Sequence, residues 1–208
     1  MALKSDKQQN QYTVLECPEC GEQYIVSPRG NLPSEAATLF SDGFFIENDD
    51  SNWRTPLIIG CVTCELGFMP QAGKVIAKGS LYELLEKYPG IKKATPPTAG
   101  ALVLDLRART KISESEEIAI RRELWYAALH TEKGRALLQC NKKFVAFFHQ
   151  NLMRLINRVS DTLLQAEIYR QTGAFDQCLD LLQNDSETMA KQIGQQANAK
   201  NSMVFQIE

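Results

Sequence analysis

Apolar and polar positions follow one rhythm up to about Lys78 and another after Ser113. Tyr12-Thr13-Val14-Leu15 and Gln23-Tyr24-Ile25-Val26 are short, β-branched and aromatic, and Ser27-Pro28-Arg29-Gly30-Asn31 closes the second with turn residues. They predict the two arms of a hairpin. Ser34 to Phe40 predicts a short helix or turn. Asp42-Gly43 predicts a turn before a strand at Phe44-Phe45-Ile46, and a polar loop covers Glu47 to Asn52. Leu57-Ile58-Ile59-Gly60, Gly67-Phe68-Met69-Pro70 and Lys74-Val75-Ile76-Ala77 add further extended pieces. Leu81 to Tyr88 has helical character and stops at Pro89-Gly90. Pro96-Pro97-Thr98-Ala99-Gly100 reads as a linker, and Leu102 to Leu106 as a strand or extended arm.

From Ser113 the apolar period becomes helical. Ser113-Glu114-Ser115-Glu116 fits a capping box, in which serine and glutamate satisfy each other's orphan amides. Ile118, Trp125 and Leu129 share one face. Gly134 reads as a helix stop. A long helix is expected from about Asn141, with Phe144, Phe148, Leu152, Leu155 and Val159 as its inward stripe. Ser186 to Lys200 predicts a final helix, and Ser202 to Ile207 a closing strand or docked tail.

Two short cysteine pairs organise the first half: Cys17-Pro18-Glu19-Cys20-Gly21 and Cys61-Val62-Thr63-Cys64. A Cys-x-x-Cys turn lets two thiolates converge on one ion, and two such turns supply the four sulfurs of a closed tetrahedral site. Pro18 stiffens the first turn, and Gly21 can take the positive φ that aims backbone amides at sulfur. This resembles the knuckle of zinc ribbons and rubredoxin-type sites. At the second turn Glu65 stands where the glycine would be, and Gly67 comes later. The gap between the pairs exceeds the roughly fifteen to twenty residues of compact zinc motifs, which an insertion between two strands would explain. The expected ligands are Cys17, Cys20, Cys61 and Cys64, holding one Zn²⁺ per chain; iron suits the same donors. The rival reading, a redox dithiol at each pair, wants a βαβ context that the extended flanks do not offer. His130 and His149 lie in helical pattern and read as ordinary helix residues.

The expected fold is therefore α+β, a small N-terminal antiparallel zinc-ribbon-like sheet followed by an all-α helical bundle. The expected division is a disordered tail at 1–11, the ribbon-like domain at 12–88, a linker at 89–112 and a helical domain at 113–208.

Composition narrows the class. The chain has 208 residues, 44% of them hydrophobic, and no apolar run approaches the roughly twenty residues that cross a bilayer. Met1 to Asn10 has no apolar core, so it is not read as a secretory signal. Six cysteines without such a signal predict a reducing, cytoplasmic setting in which paired cysteines hold metal. Net charge is only −2 but is unevenly spread. From Tyr12 to Lys78 nine acids face four bases, a poor electrostatic match for a phosphate backbone. Lys111 to Ser160 carries nine bases against five acids; Asp161 to Glu208 carries seven acids against three bases.

The segment 161–183 carries a second resemblance. Ala166, Tyr169, Gly173, Phe175 and Cys178 match the small, aromatic and glycine positions of a tetratricopeptide helix pair. One copy is present, and a single repeat cannot bury its own face. No nucleophile elbow, P-loop or dinucleotide fingerprint occurs, which points away from catalysis. The sequence thus predicts a zinc-binding interaction protein, an adaptor or scaffold. Its partner would be another protein or a second copy, met through Lys142, Lys143, Arg154 and Arg158. The alternatives are a nucleic-acid-associated zinc ribbon and a thiol-disulfide oxidoreductase; no membrane role is expected.

Overall fold

Two strands, β1 (Tyr12–Glu16) and β2 (Gln23–Val26), pair antiparallel with Val14 opposite Ile25 and Leu15 opposite Tyr24. The computed structural model describes residues 11–28, 30, 32–48, 53–109 and 111–207. The expected tail up to residue 10, Arg29 and Asn31 of the turn, and residues 49–52 of the polar loop lie outside the described residues. Two-residue strands β3 (Thr38–Leu39) and β4 (Phe45–Ile46) pair with each other, as do β5 (Ile59–Gly60) and β6 (Gly67–Phe68). β7 (Lys74–Gly79) returns antiparallel beside β1, and β8 (Lys92–Lys93) joins β2 in parallel. The helices are α1 (Leu81–Lys87), α2 (Ala99–Ala108), α3 (Glu114–His130), α4 (Glu132–Cys140), α5 (Lys142–Ile156), α6 (Thr162–Gln171), α7 (Phe175–Leu182) and α8 (Thr188–Asn198). The fold is α+β, a small N-terminal sheet followed by helices. The expected antiparallel sheet is mixed, through the parallel β2–β8 pairing. By internal packing the chain divides into two units, residues 1–37 with 46–123 and residues 38–45 with 124–208.

In the first unit successive side chains of the main sheet point to opposite faces, and both faces are buried. Tyr12, Val14 and Ile25 pack with Leu84 of α1 and with Trp53. Leu15, Tyr24 and Val26 pack the other way, with Ile59, Phe68, Cys17 and Cys61. The Leu102–Leu106 stretch, expected to be extended, lies inside α2. Thr98 caps it by accepting the Ala101 amide at 3.2 Å, and Ala99, Leu102 and Val103 recur at helical spacing on its buried side. The predicted cap at Ser113 is half formed: its hydroxyl accepts the Glu116 amide at 3.2 Å, while the Glu116 carboxylate takes Arg109 instead. A complete box stands at α1, between Ser80 and Glu83. The buried carboxylate of Glu123 is held by Arg54 at 2.5 Å and the Leu57 amide at 2.7 Å, the pairing that a buried charge requires.

In the second unit Gly134 is not a stop but an interior residue of α4. A Cβ there would lie 1.9 Å from the Ala127 carbonyl oxygen, so only glycine lets α4 approach α3 this closely. Asn141 caps α5 as expected, accepting the Phe144 amide at 3.1 Å. α6 and α7 form a helix pair turned at Gly173 (φ 81°), with Ala166 and Cys178 in its core. α8 adds Ala190, Ile193 and Ala197 to that core. A buried ion pair knits the rest: Glu167 accepts Arg170 at 2.6 and 2.7 Å, Ser41 at 2.7 Å and Gln171 at 2.7 Å. Arg170 also donates to the Asn201 and Met203 carbonyls and stacks over Phe205. The tail bridges back to the β3 region, with Phe40 opposite Gln206. His130 is no candidate ligand: its Nε2 lies 2.8 Å from Asp42, and Phe44 stacks on its ring at 4.0 Å.

Candidate metal centre

Both cysteine pairs sit where a strand runs out into a tight turn. After β1 the Cys17 amide donates to the Glu22 carbonyl at 2.8 Å, and the Gly21 amide donates to the Cys17 carbonyl at 3.0 Å. Gly21 takes φ 78°. The second turn repeats the pattern between β5 and β6, with the Cys61 amide donating to the Leu66 carbonyl at 2.9 Å. Here Glu65 itself takes φ 61°. The position that lacks its glycine has kept the left-handed backbone, at a cost of about 1–2 kcal/mol for a residue with a Cβ. Gly67 serves a different end: a Cβ there would lie 2.8 Å from the Ile58 side chain.

The four sulfurs converge. Cys17 Sγ lies 3.8 Å from Cys64 Sγ and Cys20 Sγ 3.4 Å from Cys61 Sγ, so contacts run across the two knuckles. All four lie within 4.8 Å of one another. A tetrahedron with metal–sulfur bonds of about 2.3 Å has sulfur–sulfur edges of about 3.8 Å. All six cysteines are free thiols, Cys140 and Cys178 lying outside the cluster. Cys17 and Cys61 are buried in the sheet core, while Cys20 is exposed.

Hydrogen bonds around the cluster favour negative sulfur at Cys61, and the other shifted thiols go the other way. Burial works against ionisation of Cys61, but the Cys64 amide, the Tyr24 hydroxyl and the Thr63 amide outweigh it and bring its pKa down to about 6. Burial, with the neighbouring thiols, pushes Cys64 up to about 12 despite the Leu66 amide. At Cys20 the Glu22 amide favours the thiolate, but burial and the neighbouring thiols win and the pKa rises. In the metal-free protein one thiolate thus forms readily and opposes the next, a repulsion that a dication removes.

Two features of the site carry no motif. Tyr24 lies on the same face of β2 as the cysteines and is fully buried; its hydroxyl accepts the Val62 amide at 2.9 Å and bonds to Cys61. Glu22 joins the knuckles, accepting from Thr63 at 2.8 Å and from Lys92 of β8 at 3.1 Å. Those two partners hold its carboxyl below the usual range. The strand period places Tyr24 on the cysteine face; nothing in the chain marks Glu22.

Of the other predicted site residues, Lys142 and Lys143 open α5, Arg154 lies in its last turn and Arg158 just beyond it, all exposed. No family model matches the chain, and neither does any curated protein or solved structure with which it was compared. Among the described residues no helix is long and apolar enough to cross a membrane.

Proposed function

We propose that Cys17, Cys20, Cys61 and Cys64 hold one zinc ion as a closed structural site, and that the chain is a zinc-stabilised interaction scaffold. The observation that carries the reading is the convergence of four thiols from two knuckles within 4.8 Å of one another, the scale of a metal–sulfur tetrahedron with edges of about 3.8 Å. Four thiolates suit a soft or borderline ion and leave no position for water or substrate, so the site's role is to fold the ribbon. A dithiol reading is less well supported, because the cysteines meet across the knuckles and each pair lies between short strands rather than before a βαβ helix. A ribbon this small buries little, and metal binding worth on the order of 10 kcal/mol becomes folding free energy. Free thiols throughout fit a reducing compartment such as the cytoplasm.

The interaction half of the proposal rests on the exposed bases Lys142, Lys143, Arg154 and Arg158, which would meet an acidic partner or a second copy. Complementary charge mainly speeds and orients encounter. The test is the double reversal Lys142→Glu with Lys143→Glu, followed by association kinetics at several salt concentrations. Slower association and a shallower salt dependence at unchanged zinc content are expected. Unchanged kinetics in the double variant would place the surface elsewhere.

A further inference from the structure

Beside the metal centre, between the second knuckle and α2, runs a groove of about 590 Å³, within the range of natural ligand sites. Its two walls are pinned at both ends. At one end the Gly60 amide donates to the Thr95 carbonyl at 2.8 Å, and the backbones touch so closely that a Cβ on Gly60 would lie 3.0 Å from the Pro97 nitrogen. At the other end Arg109 bonds Asp105 of α2 at 2.5 Å and the Gly67 carbonyl of the knuckle at 2.7 Å. The groove is therefore preformed, and whatever enters it does not have to pull its walls apart.

Three large apolar side chains line it and stay in water: Val62 is 56% exposed, Leu66 48% and Leu104 67%. Single exposed leucines are ordinary; three around one groove mark a surface that is covered in use. Leu104 owes its exposure to the helix period, since the buried side of α2 is Ala99, Leu102 and Val103. Charge says what covers it. The ionisable side chains other than Cys61 that line the groove are the carboxylates of Glu65 and Asp105; Asp105 already carries Arg109, so Glu65 is the acid that offers its charge to an occupant, and among the described residues no base lines the groove. Cys61 lines it too, and four thiolates around one Zn²⁺ leave two net negative charges behind that wall.

We propose that this groove docks a short amphipathic segment of another protein, with two or three apolar side chains on one face and a lysine or arginine beside them. The inference rests on the scaffold reading and adds a second surface, opposite in charge to the α5 face. A helix laid in a groove, anchored by side chains three and four residues apart, is a recurrent form of such recognition.

The test uses the full chain and two fluorescent peptides of equal length, one with leucines at helical spacing among lysines, the other with glutamates replacing the lysines. The leucine–lysine peptide should bind at the groove; the leucine–glutamate peptide should not, and any binding it shows at the basic α5 face should be indifferent to Leu104. Leu104→Ser, at an exposed site, should weaken binding at least about tenfold, as truncating a central contact does. Glu65→Gln should weaken it less and flatten its salt dependence. Zinc per chain is measured on the same samples. Missing zinc in the wild-type chain would count against the metal reading and remove the charge it adds behind the groove, while the peptide and Leu104→Ser comparisons would still decide the docking. Equal affinity of the leucine–lysine peptide for Leu104→Ser, binding of both peptides that falls alike in Leu104→Ser, or a groove variant that alters only the chain's own sedimentation would overturn the docking proposal.

Discussion

Glu65 at φ 61° is the residue on which the likeness of the two knuckles depends. A side chain there costs about 1–2 kcal/mol that glycine would not, offset in part by the greater chain entropy glycine loses on folding, so Glu65→Gly should raise the stability of the ribbon by about 1 kcal/mol in denaturant titration. A loss of stability would mean that the Glu65 side chain contributes more than its backbone costs. Tyr24 is the second residue to test. Outer partners of metal ligands are worth roughly tenfold to a hundredfold in affinity. Tyr24→Phe should therefore weaken zinc binding within that range in competition with a chelator, and an unchanged affinity would remove the hydroxyl from the account. Cys61 sets the pH dependence. Its pKa is lowered to about 6, so it is already thiolate above that and carries a proton below it. Zinc binding should release one more proton per ion below about pH 6 than above, steepening the loss of affinity as pH falls. The cysteine spacing announced the cluster of four cysteines; Tyr24 beside them was missed, although the strand period offers it. The backbone of Glu65 was not legible, because a glutamate gives no sign of a left-handed conformation.

At the scale of the element, the helical half was read well wherever an apolar stripe met a cap, as at Asn141 and α5. It was read badly where one residue type serves two ends. Gly134 carried the signal of a helix stop, yet it lies where α4 meets the backbone of α3 at Ala127. Gly134→Ala should destabilise the helical unit by at least about 3 kcal/mol, the upper range for overpacking, because backbone and not a flexible side chain stands in the way. A thermal transition within a degree or two of the parent would refute that packing. The stretch from Leu102 to Leu106 looked extended because it is nearly all apolar. The local signals that decide for α2 are the Thr98 cap and the Asp105–Arg109 pair one turn apart. Thr98→Ala should cost about 1 kcal/mol.

At the scale of the molecule, the division of the chain does not follow sequence order. Residues 38–45, between the two cysteine pairs, belong to the helical unit. There Ser41 completes the Glu167–Arg170 cluster, and Asp42 and Phe44 cover His130. No local signal marks eight residues as belonging to the far half of a chain, since the contacts that hold them are made about a hundred residues away. The change of period near Ser113 marks the start of the all-helical stretch, after α1 and α2 have already formed, and carries no mark of this excursion. A fragment of residues 113–208, lacking that segment, should melt below the helical transition of the full chain and bind a hydrophobic dye. The most direct test of the central claim is the metal content of the protein purified under reducing conditions, beside that of Cys61→Ser. The account predicts about one zinc per wild-type chain and none in the variant. A full complement of zinc in Cys61→Ser, or a wild-type chain that is folded and free of metal, would contradict it.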